Sequence, residues 1–317
     1  MPSATVAAEI SPLHPARASV RPRRSFLYVP GDRPRALEKI RDLPADGVIL
    51  DLEDAVPPAA KVEARTTIAA ALAKGGYGSR ETLLRVNALG TEWGQADLRV
   101  AATLPLDGVA LPKVEDAETV CTAATILAEA GAPDLPIWCM IETPRGVLKA
   151  LEIAEAHGRV AGLILGTSDL AKDLHLRPDL DQGRAALLPA LGQCLLAARA
   201  AGIAALDGVH LDLADDAGFA AACRQGAAMG FDGKTLIHPK TIAAANRIFG
   251  PSHAALDEAR RLVAAYAEAQ ALGRGVVLLD GRLVEALHVL QARRLLDIAE
   301  EIERREGAAA NEPFSDI

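Results

Sequence analysis

Eight short apolar runs recur along this chain, at 25–30, 47–54, 82–87, 108–114, 136–143, 162–170, 204–212 and 234–239, and nearly every one ends on a polar or charged residue. Ala-rich stretches with helical spacing lie between them. This is the rhythm of an α/β chain forming a (β/α)8 TIM barrel, whose strands are buried on both faces and whose C-terminal ends converge on one rim. The residues expected on that rim are Asp51, Glu53, Arg85, Asn87, Lys113, Glu142, Asp169, Asp207 and His238. So much charge on one rim is costly unless it binds something, which points to an enzyme.

The length of 317 residues suits one barrel of about 250 residues with tails and a small addition. Only 3% of residues are aromatic against 50% hydrophobic, so the core must be built from Ala, Leu, Val and Ile, as in helix-covered parallel sheets. A net charge of −8 argues against a general nucleic-acid binder. The four cysteines include no CxxC pair, which removes zinc-ribbon and thioredoxin readings. No apolar run is long enough to span a membrane, and a cytoplasmic protein is expected. The expected organisation is a disordered or targeting-like lead-in over 1–22, a barrel over 23–250, a helical lid or oligomerisation segment over 251–306, and a disordered tail over 307–317. Within the lid, a β-type run at 275–279 leads through Asp280-Gly281 to a helix over 285–305. The unit is too small to fold alone and is expected to pack on a barrel mouth, its own or a neighbour's.

Glu142 closes the run Ile137-Trp138-Cys139-Met140-Ile141, and Asp169 closes the next one, a single βα unit later. Two carboxylates on neighbouring strand ends, with no histidine or thiolate beside them, suit a hard cation: Mg2+, with Mn2+ as a substitute. The plainer alternative is a pair of solvated acids, or one acid bridged to Arg145. Arg85 can clamp a carboxylate or steady an enolate. It can equally form a barrel salt bridge to Asp51 or Glu53, and the sequence favours neither. Period 2 puts Asp51 and Glu53 on one face, either supporting a metal through water or orienting Arg85 and Lys113. The segment Tyr28-Val29-Pro30-Gly31-Asp32-Arg33-Pro34, with Lys39 beyond it, joins a turn, a helix N-terminus and two cations, a combination that binds phosphate or is simply a capped loop. Gly230–Thr235 approaches a Walker A sequence, but Ala228 stands at the first glycine and a strand follows.

The strings Arg24-Ser25-Phe26-Leu27-Tyr28-Val29-Pro30-Gly31, Asp51-Leu52-Glu53-Asp54-Ala55-Val56, Arg85-Val86-Asn87, Leu111-Pro112-Lys113-Val114, Ile141-Glu142-Thr143-Pro144 and Ile237-His238-Pro239 together resemble the HpcH/HpaI aldolase and citrate lyase β-subunit family, over about residues 23–305. Thr91-Glu92-Trp93-Gly94, Gly166–Lys172 and Gly230–Leu236 are especially similar to its malyl-CoA branch. The resemblance implies Glu142 and Asp169 as Mg2+ ligands and Arg85 at the reacting carbonyl or enolate. It also implies Tyr28, Arg33, Lys39, Ser168, Ile237 and His238 along the CoA-ester path. Asp51, Glu53 and Lys113 would support them from behind. It further implies a homo-oligomer, a trimer or dimer of trimers, whose lid crosses subunits to supply an acidic acid/base. The matching residue is Glu285, where lyases of the group usually carry Asp. The expected reaction is retro-Claisen cleavage of a malyl-CoA-type ester to an acyl-CoA and glyoxylate or a related 2-oxo acid. Hydrolysis to malate and CoA is the first alternative and a CoA-independent 2-oxo-acid aldolase the second.

Overall fold

In the computed structural model, which describes residues 21–177 and 184–311, eight parallel strands pair in chain order and β8 closes back onto β1. They are β1 (Ser25–Pro30), β2 (Gly47–Asp51), β3 (Glu81–Arg85), β4 (Gly108–Leu111), β5 (Ile137–Ile141), β6 (Val160–Leu165), β7 (Ala204–Asp207) and β8 (Gly233–Leu236). The helices between them are α1 (Pro34–Lys39), α2 (Lys61–Ala73), α3 (Gly94–Ala101), α4 (Ala117–Glu129), α5 (Pro144–Leu148), α6 (Ala150–Ala154), α7 (Thr167–Asp173), α8 (Leu188–Ala200) and α9 (Asp216–Met229). After β8 come α10 (Ile242–Phe249), α11 (His253–Ala271), the hairpin β9 (Val277–Leu279) and β10 (Arg282–Val284), and α12 (Ala286–Asn311).

Strand side chains alternate between two cores. Phe26, Ile49, Leu83, Ala110, Trp138, Met140, Ile164 and Leu206 fill the barrel interior, while a larger cluster including Val48, Leu50, Leu84 and Leu163 packs between the barrel and its helices. The same parity makes the top of the barrel interior polar. Two residues beyond Phe26, Ile49, Leu83 and Met140 stand Tyr28, Asp51, Arg85 and Glu142, which form its uppermost layer. The corresponding positions after Ile164 and Leu206 are Gly166 and Gly208, which contribute no side chain to that layer and are packed closely by Glu142 and Thr167.

Except at 25–30, which coincides with β1, the apolar runs overshoot the strands at their C-terminal ends. The clearest correction is at 162–170, where β6 stops at Leu165 and Thr167–Asp173 is helical, so Asp169 lies in the first turn of α7 rather than on a strand. The stretch 146–157 is two short helices broken at Lys149. Glycines 131, 202 and 230 adopt the positive φ expected just past a helix end, whereas Gly158 does not. The final helix runs to Asn311, into the stretch expected as tail. The lead-in over 1–20 and residues 312–317 fall outside the described residues. Arg21 is placed, donating to Asp107 at 3.0 Å.

The C-terminal unit is a pair of antiparallel helices, α11 and α12, with the hairpin across their far end and Tyr266, Val284 and Val289 as its small core. Along α12, Glu306 pairs with Arg24, Arg305 donates to the Ser79 carbonyl and Arg294 reaches Asp232. Arg24, Ser79 and Asp232 all stand just before strands, so α12 straps the floor of its own barrel. Glu285 precedes α12, nine residues and about 13 Å of helix from the Arg294 contact. The unit therefore does not cover its own mouth. Among the described residues, no helix is long and apolar enough to cross a membrane.

Candidate active site

The mouth is organised around Arg85. Its Nε and Nη2 donate to the two Asp51 oxygens at 2.6 and 2.5 Å, and Nη1 lies 2.9 Å from Glu53 Oε2. Its guanidinium stacks 4.8 Å above the Tyr28 ring. Burial disfavours the Arg85 charge, but the Asp51 hydrogen bonds and fields outweigh it and raise its pKa. Tyr28 is pushed upward by burial and stays a neutral phenol. The sequence left Arg85 between substrate clamp and barrel salt bridge. The structure shows the salt bridge, with the guanidinium still in the top interior layer.

Asp51 also accepts the backbone N–H groups of Glu53 and Ala55, at 2.8 and 3.2 Å, which ties the turn after β2 to the strand end. Glu53 bridges two cations: Lys113 Nζ at 2.6 Å and Arg85. Burial raises the Glu53 pKa against both of them. For Lys113, burial opposes the charge and the Glu53 contact overcomes it, raising its pKa. Asp51 and Glu53 thus orient Arg85 and Lys113, one of the two roles the sequence allowed them.

Lys113 is one of three non-glycine residues with positive φ among those described, at 51°. That left-handed turn is unfavourable for a side-chain-bearing residue. Here it aims the Lys113 N–H at Glu142 Oε1, 2.7 Å away, while the ammonium swings back to Glu53. Glu142 itself is 2% exposed, and burial pushes its carboxyl up to about 7. Among the described residues Oε2 has no hydrogen-bond partner. Gly166, beside it on the neighbouring strand, has no room for a side chain, since a Cβ there would fall on the Glu142 Cβ and Oε2.

Asp169 enters the mouth region from the first turn of α7 and is partly exposed, with Lys172 3.8 Å away. Ser168 beside it is exposed. The turn before α7 is packed by Gly208, where a Cβ would meet Thr167 Oγ1, and Thr167 Oγ1 donates to the Val209 carbonyl at 3.4 Å. Arg145 turns to Glu115 at 3.6 Å. No group of three or more His, Cys, Asp and Glu suited to a metal occurs among the described residues.

Of the residues expected on the rim, Asp207 faces away from it, while Arg33, Lys39, Ile237 and His238, which the resemblance put along the ester path, are exposed. Asp207 has the opposite parity to Leu206 and faces outward, fully buried against Arg184 and Lys234, beneath α9. Arg33 caps α1 and is exposed beside Asp32, and Lys39 ends the same helix, exposed. With six residues, α1 offers only a weak N-terminal field, so these cations stand as separate surface charges. Ile237 and His238 follow β8 on the rim, both exposed, and His238 Nδ1 accepts the Lys240 N–H at 3.1 Å. The exposed Glu285 donates its N–H to His288 Nδ1 at 3.1 Å, on the floor side of the chain.

A closed parallel barrel with buried, oppositely charged side chains and one acid pushed towards neutrality at its mouth puts the chain in the TIM-barrel class, with a perturbed acid on the rim where such barrels carry their active sites. The family model described as HpcH/HpaI aldolase/citrate lyase matches residues 24–239, and this chain belongs to that family. It is 47% identical over 283 residues to (3S)-malyl-CoA thioesterase of Cereibacter sphaeroides strain KD131, covering 89% of this chain and 96% of the relative. It is 36% identical over 285 residues to citrate lyase subunit beta of Leuconostoc mesenteroides subsp. cremoris, covering 87% and 93%. Among solved structures, CitE from Mycobacterium tuberculosis in complex with magnesium, acetoacetate and coenzyme A is similar with a TM-score of 0.71 at 34% identity, covering 87% of this chain and 98% of that one.

Proposed function

We propose that this chain acts on a malyl-CoA-type ester with the aid of Mg2+, and that hydrolysis to malate and CoA is its leading reaction. The observation that carries the proposal is Glu142: a buried carboxyl with one oxygen held by the Lys113 N–H, the other without a hydrogen bond among the described residues, packed against a glycine whose missing side chain lets it fit. Glu142 and Asp169, hard oxygen donors from adjacent βα units, would hold Mg2+, with Mn2+ as a substitute. Bound there, the ion supplies Lewis acidity to the substrate's 3-hydroxyl and adjacent carboxylate. The magnesium in the M. tuberculosis neighbour supports that assignment.

The chain's own residues do the rest. Arg85, fixed by Asp51, presents positive charge to the thioester carbonyl as it gains negative charge. Lys113 and Glu53 hold Glu142 and Arg85 in register. Tyr28, Ser168, Ile237 and His238 border the path of the acyl chain, and Arg33 and Lys39 lie towards the nucleotide phosphates. Glu285, on the floor side of its own barrel, reaches a mouth only on a neighbouring subunit. The exposed Leu278, Leu283, Leu287 and Leu290 around it support such a homo-oligomer, a trimer or dimer of trimers.

From that position Glu285 takes a proton from water as it attacks the thioester. The relatives named thioesterase, at 46–47% identity, support reading hydrolysis ahead of the C–C cleavage that the sequence put first. Glutamate at 285, one methylene longer than the usual lyase aspartate, favours the same order. Cleavage of C2–C3 to acetyl-CoA or propionyl-CoA and glyoxylate is the second reading, supported by the citrate lyase relatives. Malyl-CoA with Mg2+, with free thiol and glyoxylate measured separately, decides between them: thiol without glyoxylate supports hydrolysis, and glyoxylate replaces it with cleavage. Mixed Glu285→Gln and Glu142→Gln subunits should regain activity that neither has alone. No recovery in proven mixed oligomers would remove the lid from the neighbour's site.

A further inference from the structure

Lys61 opens α2 behind the mouth and is 5% exposed, yet no carboxylate lies within ion-pair distance of it among the described residues. Its Nζ donates instead to two consecutive carbonyls, Leu52 and Glu53, each at 2.9 Å. The Trp93 ring covers it at 5.3 Å. A buried ammonium satisfied only by carbonyls and a ring is a costly way to fill space, since an apolar side chain of the same length would fill it more cheaply. Both of its hydrogen bonds go to consecutive carbonyls of one turn. The Glu53 carbonyl that it holds also accepts the Val56 N–H at 3.0 Å, so Lys61 pins the turn between β2 and α2 from outside. On the inside of that turn the Glu53 side chain bridges Lys113 and Arg85. Trp93 is itself held by α2, through Arg65 to its carbonyl at 3.2 Å and to Asp97 at 2.5 Å.

We propose that Lys61 is a positioning residue: by fixing the Leu52–Glu53 backbone beneath Trp93, it sets the Glu53 carboxylate where it can hold Lys113 and Arg85 together. The proposal rests on reading the mouth as the catalytic site. Lys61 never touches substrate, so its removal should lower kcat and leave ester binding nearly unchanged.

The test uses the full chain in its native assembly. Lys61→Met should lower kcat for malyl-CoA by about 30-fold with KM within about 3-fold of wild type. In a Glu53→Ala background the same change should cost less than about 2-fold more, because residues acting through one another are non-additive. Amide exchange over 52–56 should quicken by about 10-fold while the strands are unmoved, an outcome that needs no substrate. Full additivity with Glu53→Ala, or unchanged exchange over 52–56, overturns the proposal. Should Lys61→Met not fold, Trp93→Leu, which leaves the ammonium but uncovers it, must show the same non-additivity on a smaller scale, and additivity there overturns it too. If the wild type turns over no malyl-CoA with Mg2+, the functional reading falls, while the exchange comparison still decides the positioning.

Discussion

Glu81 and Arg85 stand on the same face of one strand, four residues apart, and mark two kinds of charged barrel end. At the floor, Glu81 takes a two-point contact from Arg23 at 2.7 and 3.0 Å, with Arg23 also stacked on Trp138. Asp46 is clasped by Arg24 through both oxygens, and Asp107 by Arg21. At the mouth, Arg85 shares its charge among Asp51, Glu53 and Asp54, Lys113 is bent into a left-handed conformation, and Glu142 has an oxygen without a hydrogen bond. Both ends bury charge. What separates them is the partner: each floor acid has an arginine within ion-pair distance, whereas at the mouth Glu142 has, among the described residues, only the Lys113 N–H.

The largest expected effect tests that contrast directly. Glu142→Gln should lower turnover by about 10³-fold or more, since it removes a charge that would ligate the cation. Its melting temperature should hold or rise, because a buried charge is lost with it. Wild-type turnover in this variant would make the mouth acid no more functional than Glu81. The converse change, Glu81→Gln, should cost about 1 kcal/mol in denaturant unfolding, because the partly exposed Arg23 loses its charged partner. Turnover by the folded fraction should stay within about 2-fold. A large loss of kcat there would mean the floor is coupled to the chemistry.

Arg85→Lys sharpens the picture at a smaller scale. Lysine keeps the charge but cannot reproduce the two-point contact with Asp51, and kcat should fall by about 10²-fold. A change confined to KM would move Arg85 from the reacting centre to the edge of the substrate. The smallest effect is one of pH. Burial raises the Glu142 carboxyl from 4.5 to about 7, so in chelator the folded state holds its proton longer than the unfolded one. Stability should therefore fall as pH rises from about 4.5 to 7, by on the order of 1–3 kcal/mol relative to Glu142→Gln, and level off above. Mg2+ added above pH 7 should remove the difference. A flat comparison across that window would show that the carboxyl is already compensated.

The barrel was legible because its signal repeats. Eight apolar runs at βα spacing leave few alternatives, and parity along β2, β3 and β5 carries Asp51, Arg85 and Glu142 into one layer. Pairing was less legible. Asp207 ends its strand on a carboxylate as Asp51 does, but the opposite parity turns it outward to Arg184 and Lys234. Counting alternate residues from Leu206 would have shown this. Asp169 was misplaced because the strand stops at Leu165, four residues short of it, and the Gly166-Thr167-Ser168 turn into α7 was read as more strand. Lys61 was invisible: its partners are backbone carbonyls, which no side-chain pattern reveals. The lid's position could not be read either, since the ion pairs that strap α12 to the floor join residues far apart in the chain, as Arg24 and Glu306 do.

That last pair makes the described chain meet itself. Arg24, just before the first strand, and Glu306, near the end of the last helix, are 3.3 Å apart across the floor. The path through the barrel is thus a ring open at one place, on the side away from the mouth. Joining the ends there and reopening the ring in a floor-side turn, such as that around Gly75-Gly76, should give a permuted chain with the same barrel and an untouched mouth. Cargo inserted beside Arg24 or Glu306 would start from the floor, on the side away from Glu142.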